Sequence, residues 1–353
     1  MSVRTIVVDD SPSMQKLIAA VLESDPEISV VGTAANPEEA RKMIKALNPD
    51  VITLDIEMPG MNGLDFLERL MRLRPMPVVM ISSWTRKGAD ATIAALEIGA
   101  FSCLPKPRMD DEAALSAMCE NVKAAAAAKP LIQRRGHSPS PAPEAPAPPR
   151  TAVNTAPSLG IIAIGASTGG VEALTEVLTG FPADCPPTVV TQHMPEHFTR
   201  SFAERLNRLC SPTVVEAADG MPVRTGHVYI APGAVGHLTV SGRSDRTCRV
   251  TPGELRSGHR PSVDVMFESV AQVYGAKSAA ALLTGMGSDG AEGLLALKRA
   301  GAHTIAQDRE TSLVYGMPAA AARLGAADRI LPINEIAAAL FASRMEVEQN
   351  ACA

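Results

Sequence analysis

Two groups of residues in this chain have types and spacings that could do chemistry. The first is Asp9, Asp10, Asp55, Ser82 and Lys106, each closing a short β-branched or apolar run. Parallel strands would bring those ends to one edge. Three carboxylates crowded there repel one another unless a divalent cation binds them, and hard oxygen ligands suit Mg²⁺. A carboxylate held by a cation beside a lysine can take a phosphoryl group, because that transfer depends mainly on positioning and charge neutralisation. The ordinary alternative makes Asp9 and Asp10 helix caps and Asp55 a turn residue. Five residues in the right order, with LDIEMPGMNGLDFL around Asp55, outweigh it.

The second group is Ser167 in GASTGG, His193 in TVVTQHMPEH and Asp289 in LLTGMGSDGAEG. Ser167 follows the run GIIAI and precedes a helical pattern, so free amides and the helix dipole could stabilise an oxyanion beside it. Simple capping by Ser167 or Thr168 is an equal reading of that turn alone. A dinucleotide loop is weaker, since Gly165, Gly169 and Gly170 lack the G-x-G-x-x-G spacing. His193 at a strand end is the candidate base. Metal binding by His193, Glu196 and His197 is disfavoured by Pro195 and by the lack of a third ligand. Asp289 can orient the imidazole, cap the helix that follows it, or do both. Amides near Gly285, Met286 and Gly287 could complete an oxyanion hole beside Thr168. His259, Arg260 and Ser262 either line the pocket or anchor the next helix.

These residues need elements to hold them. In the first half, TIVV, ISVVGTA, VITLDI, VVMIS and FSCLP alternate with helical segments at Met14 to Leu22, Pro37 to Leu47, Gly63 to Arg72 and Gly88 to Glu97, and an Ala-rich one ending near Ala128. Such alternation predicts a five-stranded parallel sheet covered on both faces, with ligands at the carboxyl ends. From Lys129 to Pro157 the chain fills with Pro and Ala and reads as an extended tether. The second half repeats the alternation through PTVVTQ, HVYIAP, AAALLT and HTIAQ, with a hairpin from HLTV and CRVTP. A second doubly wound α/β sheet, mixed but mainly parallel, is expected. The boundaries read as 1–128, a linker over 129–157, a second domain over 158–346 and a tail over 347–353.

Composition narrows the function classes. Thirty-three basic and 38 acidic residues leave a formal charge of −5 with no basic block, which argues against nucleic acid. Six scattered cysteines without a C-x-x-C pair read as free thiols of a reducing compartment. The N-terminus turns acidic after a short apolar run, and no stretch approaches the roughly 18 apolar residues of a membrane span. A cytoplasmic protein without membrane insertion is expected.

The first half resembles the receiver domains of two-component response regulators, which share the flavodoxin-like fold. The resemblance implies Asp55 as phosphoacceptor, Asp9, Asp10 and Asp55 as Mg²⁺ ligands, Ser82 as switch hydroxyl and Lys106 as the phosphoryl-sensing cation. Cys103 stands where that family often has a switching aromatic residue, and a cis bond is expected between Lys106 and Pro107. The second half resembles chemotaxis-specific protein-glutamate methylesterases through GASTGG, QHMP, IAPG, HRPSVDVMF, LTGMGSDGAEG, AQD and YGMPAAA. It implies a catalytic set of Ser167, His193 and Asp289, with Thr168 and Met286 near the oxyanion and no cofactor for the hydrolysis. The implied reaction is hydrolysis of glutamate γ-methyl esters on methylated chemoreceptors, with deamidation of certain receptor glutamines. A chemotaxis histidine kinase is the implied phosphodonor, and a monomer is expected. Linkage of the two halves, together with what the resemblance implies, leads to an expectation of autoinhibition relieved by phosphorylation of Asp55.

Overall fold

In the computed structural model the described residues are 2–58, 62–82, 86–107, 111–135, 160–196 and 198–341. His197, part of the loop at 59–61, most of the linker and the tail lie outside them. The chain divides into two compact units, Met1–Ala156 and Pro157–Ala353.

The first unit runs β1 (Val3–Val8), α1 (Pro12–Glu23), β2 (Ile28–Ala34), α2 (Pro37–Leu47), β3 (Val51–Asp55), α3 (Gly63–Leu73), β4 (Val78–Ser82), α4 (Arg86–Ile98), β5 (Ser102–Pro105) and α5 (Glu112–Arg135). Its five strands pair in parallel in the order β2-β1-β3-β4-β5. Short polar side chains start the helices: Ser11, Asn36 and Asn62 accept from the amides of Met14, Glu39 and Asp65. Proline opens α1 and α2, where its missing N–H costs nothing. The inner strands are mostly apolar because helices cover both faces, and every residue of β3 and β4 is buried.

The expected end of the last helix at Ala128 is corrected. Helix α5 continues through Lys129 and Pro130 to Arg135. Ile132 is buried, and Lys129 Nζ donates to Asp50 Oδ1 at 2.8 Å and to Pro49 O at 3.1 Å, so tertiary contacts outweigh one lost backbone bond at the proline. The expected cis bond is also corrected: among the described residues it is Arg260–Pro261, not Lys106–Pro107.

The second unit carries β6 (Ile161–Ala166), α6 (Gly170–Thr179), β7 (Thr188–Gln192), α7 (Phe198–Leu209), β8 (Thr213–Glu216), β9 (His227–Ile230), β10 (His237–Ser241), β11 (Thr247–Thr251), α8 (Val263–Tyr274), β12 (Ser278–Leu282), α9 (Ala291–Arg299), β13 (His303–Gln307), α10 (Met317–Arg323) and β14 (Arg329–Leu331). Residues 333–341 are helical as well. Seven strands pair in the order β14-β13-β12-β6-β7-β9-β8, all parallel. The expected mixed sheet is therefore purely parallel among the described residues. Its antiparallel component, β10 with β11, forms a separate two-stranded sheet.

The chain leaves β6 toward β7 on one side and later returns to place β12 on the other. That reversal opens a crevice at the carboxyl end of β6, the usual ligand position in such sheets.

Candidate active site and phosphoacceptor cluster

Strand register assembles the acidic cluster of the first unit. β1 and β3 pair Val8 with Leu54, so Asp9 and Asp55 emerge side by side. β4 and β5 pair Ser82 with Pro105, and the Lys106 amide donates to Ser82 O at 3.0 Å. Lys106 Nζ then lies 2.7 Å from Asp55 Oδ2 and 3.3 Å from Asp9 Oδ2. Both carboxylates are almost fully buried. Burial lifts the Asp55 carboxyl above its usual range despite the pull of Lys106. Burial also opposes the charge of Lys106, but Asp55 and Asp9 outweigh it and raise the ammonium above its ordinary value.

Two features fit a divalent cation here. Asp9, Asp10 and Asp55 offer ligand oxygens that all lie within 4.8 Å of one another. Asp9 Oδ2 is buried with no hydrogen bond, while its other oxygen accepts from the Ser11 amide at 2.9 Å. Ser82 is buried beside them at the end of β4. Cys103 lies with its Sγ against Thr92 O at 3.8 Å, and burial pushes the thiol far up.

Register also builds the second site. β6 and β7 pair Ala166 with Gln192, so Ser167 and His193 are the next residues on neighbouring strands. The His193 amide donates to Ala166 O at 3.2 Å, and the Ser167 amide donates to Thr284 O, beyond β12, at 3.0 Å. Ser167 thus stands between the ends of β7 and β12. Helix α6 is capped at Gly169, which has φ of +78° and no side-chain cap bond. The side chains of Ser167 and Thr168 therefore do not cap it.

Gly285 answers a close approach. A Cβ there would fall 2.7 Å from Ser167 Cβ and would also strike Met317 Sδ. Among the described residues, the amides of Thr168 and Met286 are not engaged by another backbone group. The Thr168 carbonyl, by contrast, accepts from Thr284 Oγ1 at 2.9 Å.

Asp289 is the hub of the electrostatics. Its Oδ2 accepts from His193 Nε2 at 2.8 Å and from the Val263 amide at 2.7 Å. Its Oδ1 accepts from Ser262 Oγ at 2.8 Å and from the Asp264 amide at 3.1 Å. The carboxylate thereby sits on the N-terminus of α8, not on α9, whose cap is Gly290. Burial raises this carboxyl, but His193 and the donors of α8 more than offset that and hold it well below the usual carboxylate range.

An ionised Asp289 requires the proton of neutral His193 to lie on Nε2. The Nδ1 lone pair is left over, and Nδ1 is buried without a hydrogen bond. Ser167 and the imidazole are therefore not hydrogen-bonded in this state. Catalytic hydrogen bonds often tighten only once substrate is bound.

Two neighbours, Gln192 and Asp264, were not read from the sequence. Gln192 Nε2 donates to Ser167 O at 2.9 Å and to His193 O at 3.2 Å, tying the two turns together. Asp264, buried behind Asp289, accepts from the Gly293 amide at 2.8 Å, and burial with its acidic neighbour pushes its carboxyl up to about 6. The His259 ring stacks on that of His193, with centroids 3.7 Å apart and planes at 13°. A polar residue closing an apolar strand was the available signal for Gln192. Asp264 depends on long-range packing, as does the stacking of His259 on His193.

Of the triplet left open in the sequence, Ser262 caps α8 and also donates to Asp289. Arg260 braces loops through Ala234 O and Gly253 O, and His259 lines the site. Among the described residues, the group able to hold a metal is Asp9, Asp10 and Asp55, with none around His193.

Fold and site together define the class: a response-regulator receiver joined to a parallel α/β hydrolase unit. Residues 5–118 match the response regulator receiver domain, and residues 162–340 match the CheB methylesterase family. The chain is 55% identical over 333 residues to a protein-glutamate methylesterase/protein-glutamine glutaminase of Rhizobium etli, covering 94% of each. One from Caulobacter vibrioides is 51% identical over 336 residues, covering 95% of this chain and 96% of that protein. The crystal structure of the Thermotoga maritima CheB methylesterase catalytic domain superposes with a TM-score of 0.51 at 39% identity, over 52% of this chain and 97% of that one. The chain belongs to the CheB family of protein-glutamate methylesterase/protein-glutamine glutaminases.

Proposed function

We propose that this protein demethylates glutamate γ-methyl esters on the cytoplasmic helices of chemoreceptors, releasing methanol, and deamidates receptor glutamines to glutamate. The observation that carries this reading is the His193–Asp289 pair, held at 2.8 Å with Nδ1 free, next to Ser167 at the sheet's reversal point.

Ser167 Oγ attacks the ester carbonyl carbon while its proton passes to His193 Nδ1. The oxyanion is met by the amides of Thr168 and Met286. The C–O bond to methoxide breaks, and the proton from His193 leaves with it as methanol. Water, deprotonated by His193, then attacks the acyl-serine and frees glutamate and Ser167. A glutamine side chain follows the same path with ammonia leaving.

The receiver unit regulates this activity. Asp55 accepts a phosphoryl group from a chemotaxis histidine kinase, Lys106 pairs with the added charge, and Ser82 responds to it. Asp9, Asp10 and Asp55 would hold Mg²⁺, which when bound neutralises charge on the phosphoryl group. The protein acts as a cytoplasmic monomer; no described helix is long and apolar enough to cross a membrane.

Methanol release from methylated chemoreceptor tests the reading. Wild type is expected to release it, faster with a small phosphodonor and Mg²⁺, and Ser167→Ala to release none. Full activity in Ser167→Ala would sink the serine mechanism. An unchanged rate with phosphodonor would sink the regulation.

A further inference from the structure

Asp289 grips His193 at a single ring atom, Nε2. One hydrogen bond at the ring edge does not by itself fix the tilt of the imidazole, and a tilt about that contact would move Nδ1 relative to the neighbouring strand end that bears Ser167. Nothing bonded to Nδ1 resists this movement, because that atom has no hydrogen bond. The restraint lies on the ring face, where His259 is stacked at 3.7 Å and nearly parallel.

His259 is itself firmly mounted. It closes a tight turn in which Arg256 and His259 exchange two backbone hydrogen bonds, of 3.1 and 2.9 Å. The central residues, Ser257 and Gly258, take φ of +53° and +79°, the signs of a type I′ turn. The next residue, Arg260, pins the loop to Ala234 O and Gly253 O, and Ser262 then enters the Asp289 network. One seven-residue stretch, 256–262, thus carries both the ring that faces His193 and a donor that holds its carboxylate.

From this arrangement we infer that His259 is a positioning residue: its ring clamps the face of His193 so that Nδ1 stays directed at the Ser167 hydroxyl. It touches the base. A flat ring supplies the clamp, and a ring that stays uncharged does not repel a base that gains a proton. Burial and the adjacent His193 pull His259 down to about 4, so it remains neutral at physiological pH.

The inference rests on the proposed roles of Ser167 and His193, so its test separates the two. Wild type, Ser167→Ala, His259→Ala, His259→Phe and His259→Gln are compared for methanol release, with thermal melting as a control for folding. The rate at which a fluorophosphonate labels Ser167 supplies a readout independent of the methylated receptor. A misplaced base costs up to about 100-fold in rate.

His259→Ala is therefore expected to lower kcat and the labelling rate by about 10- to 100-fold with KM nearly unchanged. His259→Phe, which keeps a flat ring, is expected to recover most of the loss, and His259→Gln little of it. If Ser167→Ala stays active, the serine reading fails. If Ser167→Ala is dead yet His259→Ala retains kcat and labelling within about twofold, the clamp fails; it fails equally if His259→Phe is as impaired as His259→Ala while melting normally. Should His259→Ala not fold, the contrast between Phe and Gln decides.

Discussion

His193 meets Asp289 through Nε2, at 2.8 Å, which leaves Nδ1 as the unprotonated nitrogen of the neutral ring. The pairing assigns the tautomer without any appeal to sequence order, because an ionised carboxylate accepts only from the protonated nitrogen. Replacing Asp289 with Asn removes both the charge and the tautomer preference. We expect kcat for methanol release to fall by about 10³-fold or more in Asp289→Asn. A loss smaller than about tenfold would show that Asp289 serves α8 alone.

Lys106 is the counter-charge for two buried carboxylates, Asp9 and Asp55. Removing it strands them, a situation that costs about 3 kcal/mol when a buried pair is broken. Lys106→Ala should therefore melt earlier in EDTA and be stabilised by added Mg²⁺ more than wild type is. Thermal melts of the two proteins across a Mg²⁺ titration check this, and parallel curves would refute it.

Asp264 gives a pH signature. Its folded-state carboxyl, lifted to about 6 by burial and by Asp289, binds its proton more tightly than in the unfolded chain. Its contribution to stability is thus present below the ordinary carboxylate range near pH 4 and is lost as pH rises to about 6. Asp264→Asn should abolish that loss, so the variant gains on wild type by on the order of 2 kcal/mol between those limits. Urea unfolding at several pH values measures the difference, and a gap independent of pH would contradict it.

Helix α5 extends past the apparent edge of the first unit, with Ile132 buried. Ile132→Ala should cost that unit about 2 kcal/mol or more by leaving a cavity. Denaturant melts of the receiver's own transition provide the measurement. No shift would mean that the last turns are dispensable.

Much of this architecture was legible in the chain itself. β-branched runs alternating with helical periods revealed two doubly wound units, and Asp9 just after β1 with Asp55 at the end of β3 located the cluster at the carboxyl edge. The end of α5 was not legible, because Pro130 and the alanines carry a local signal for a tether while Ile132 and Lys129 are held by distant groups. Strands β8 and β14 were missed because each is short and partly exposed, so neither shows a clear apolar run.

For the hydrolase unit, sequence alone determined which residues could react: Ser167, His193 and Asp289 each follow a strand in a glycine-rich or polar turn. Only tertiary structure decided what they do to one another. The capping role open to Ser167 passed to the backbone of Gly169, and Asp289 turned from its own helix α9 to the amides of α8. Which nitrogen of His193 is free, and that His259 covers its face, follow from groups 66 or more residues apart brought within hydrogen-bonding or stacking distance. Local preferences act over a few residues, whereas strand register and helix packing set such contacts, and these exist only once the sheet has formed.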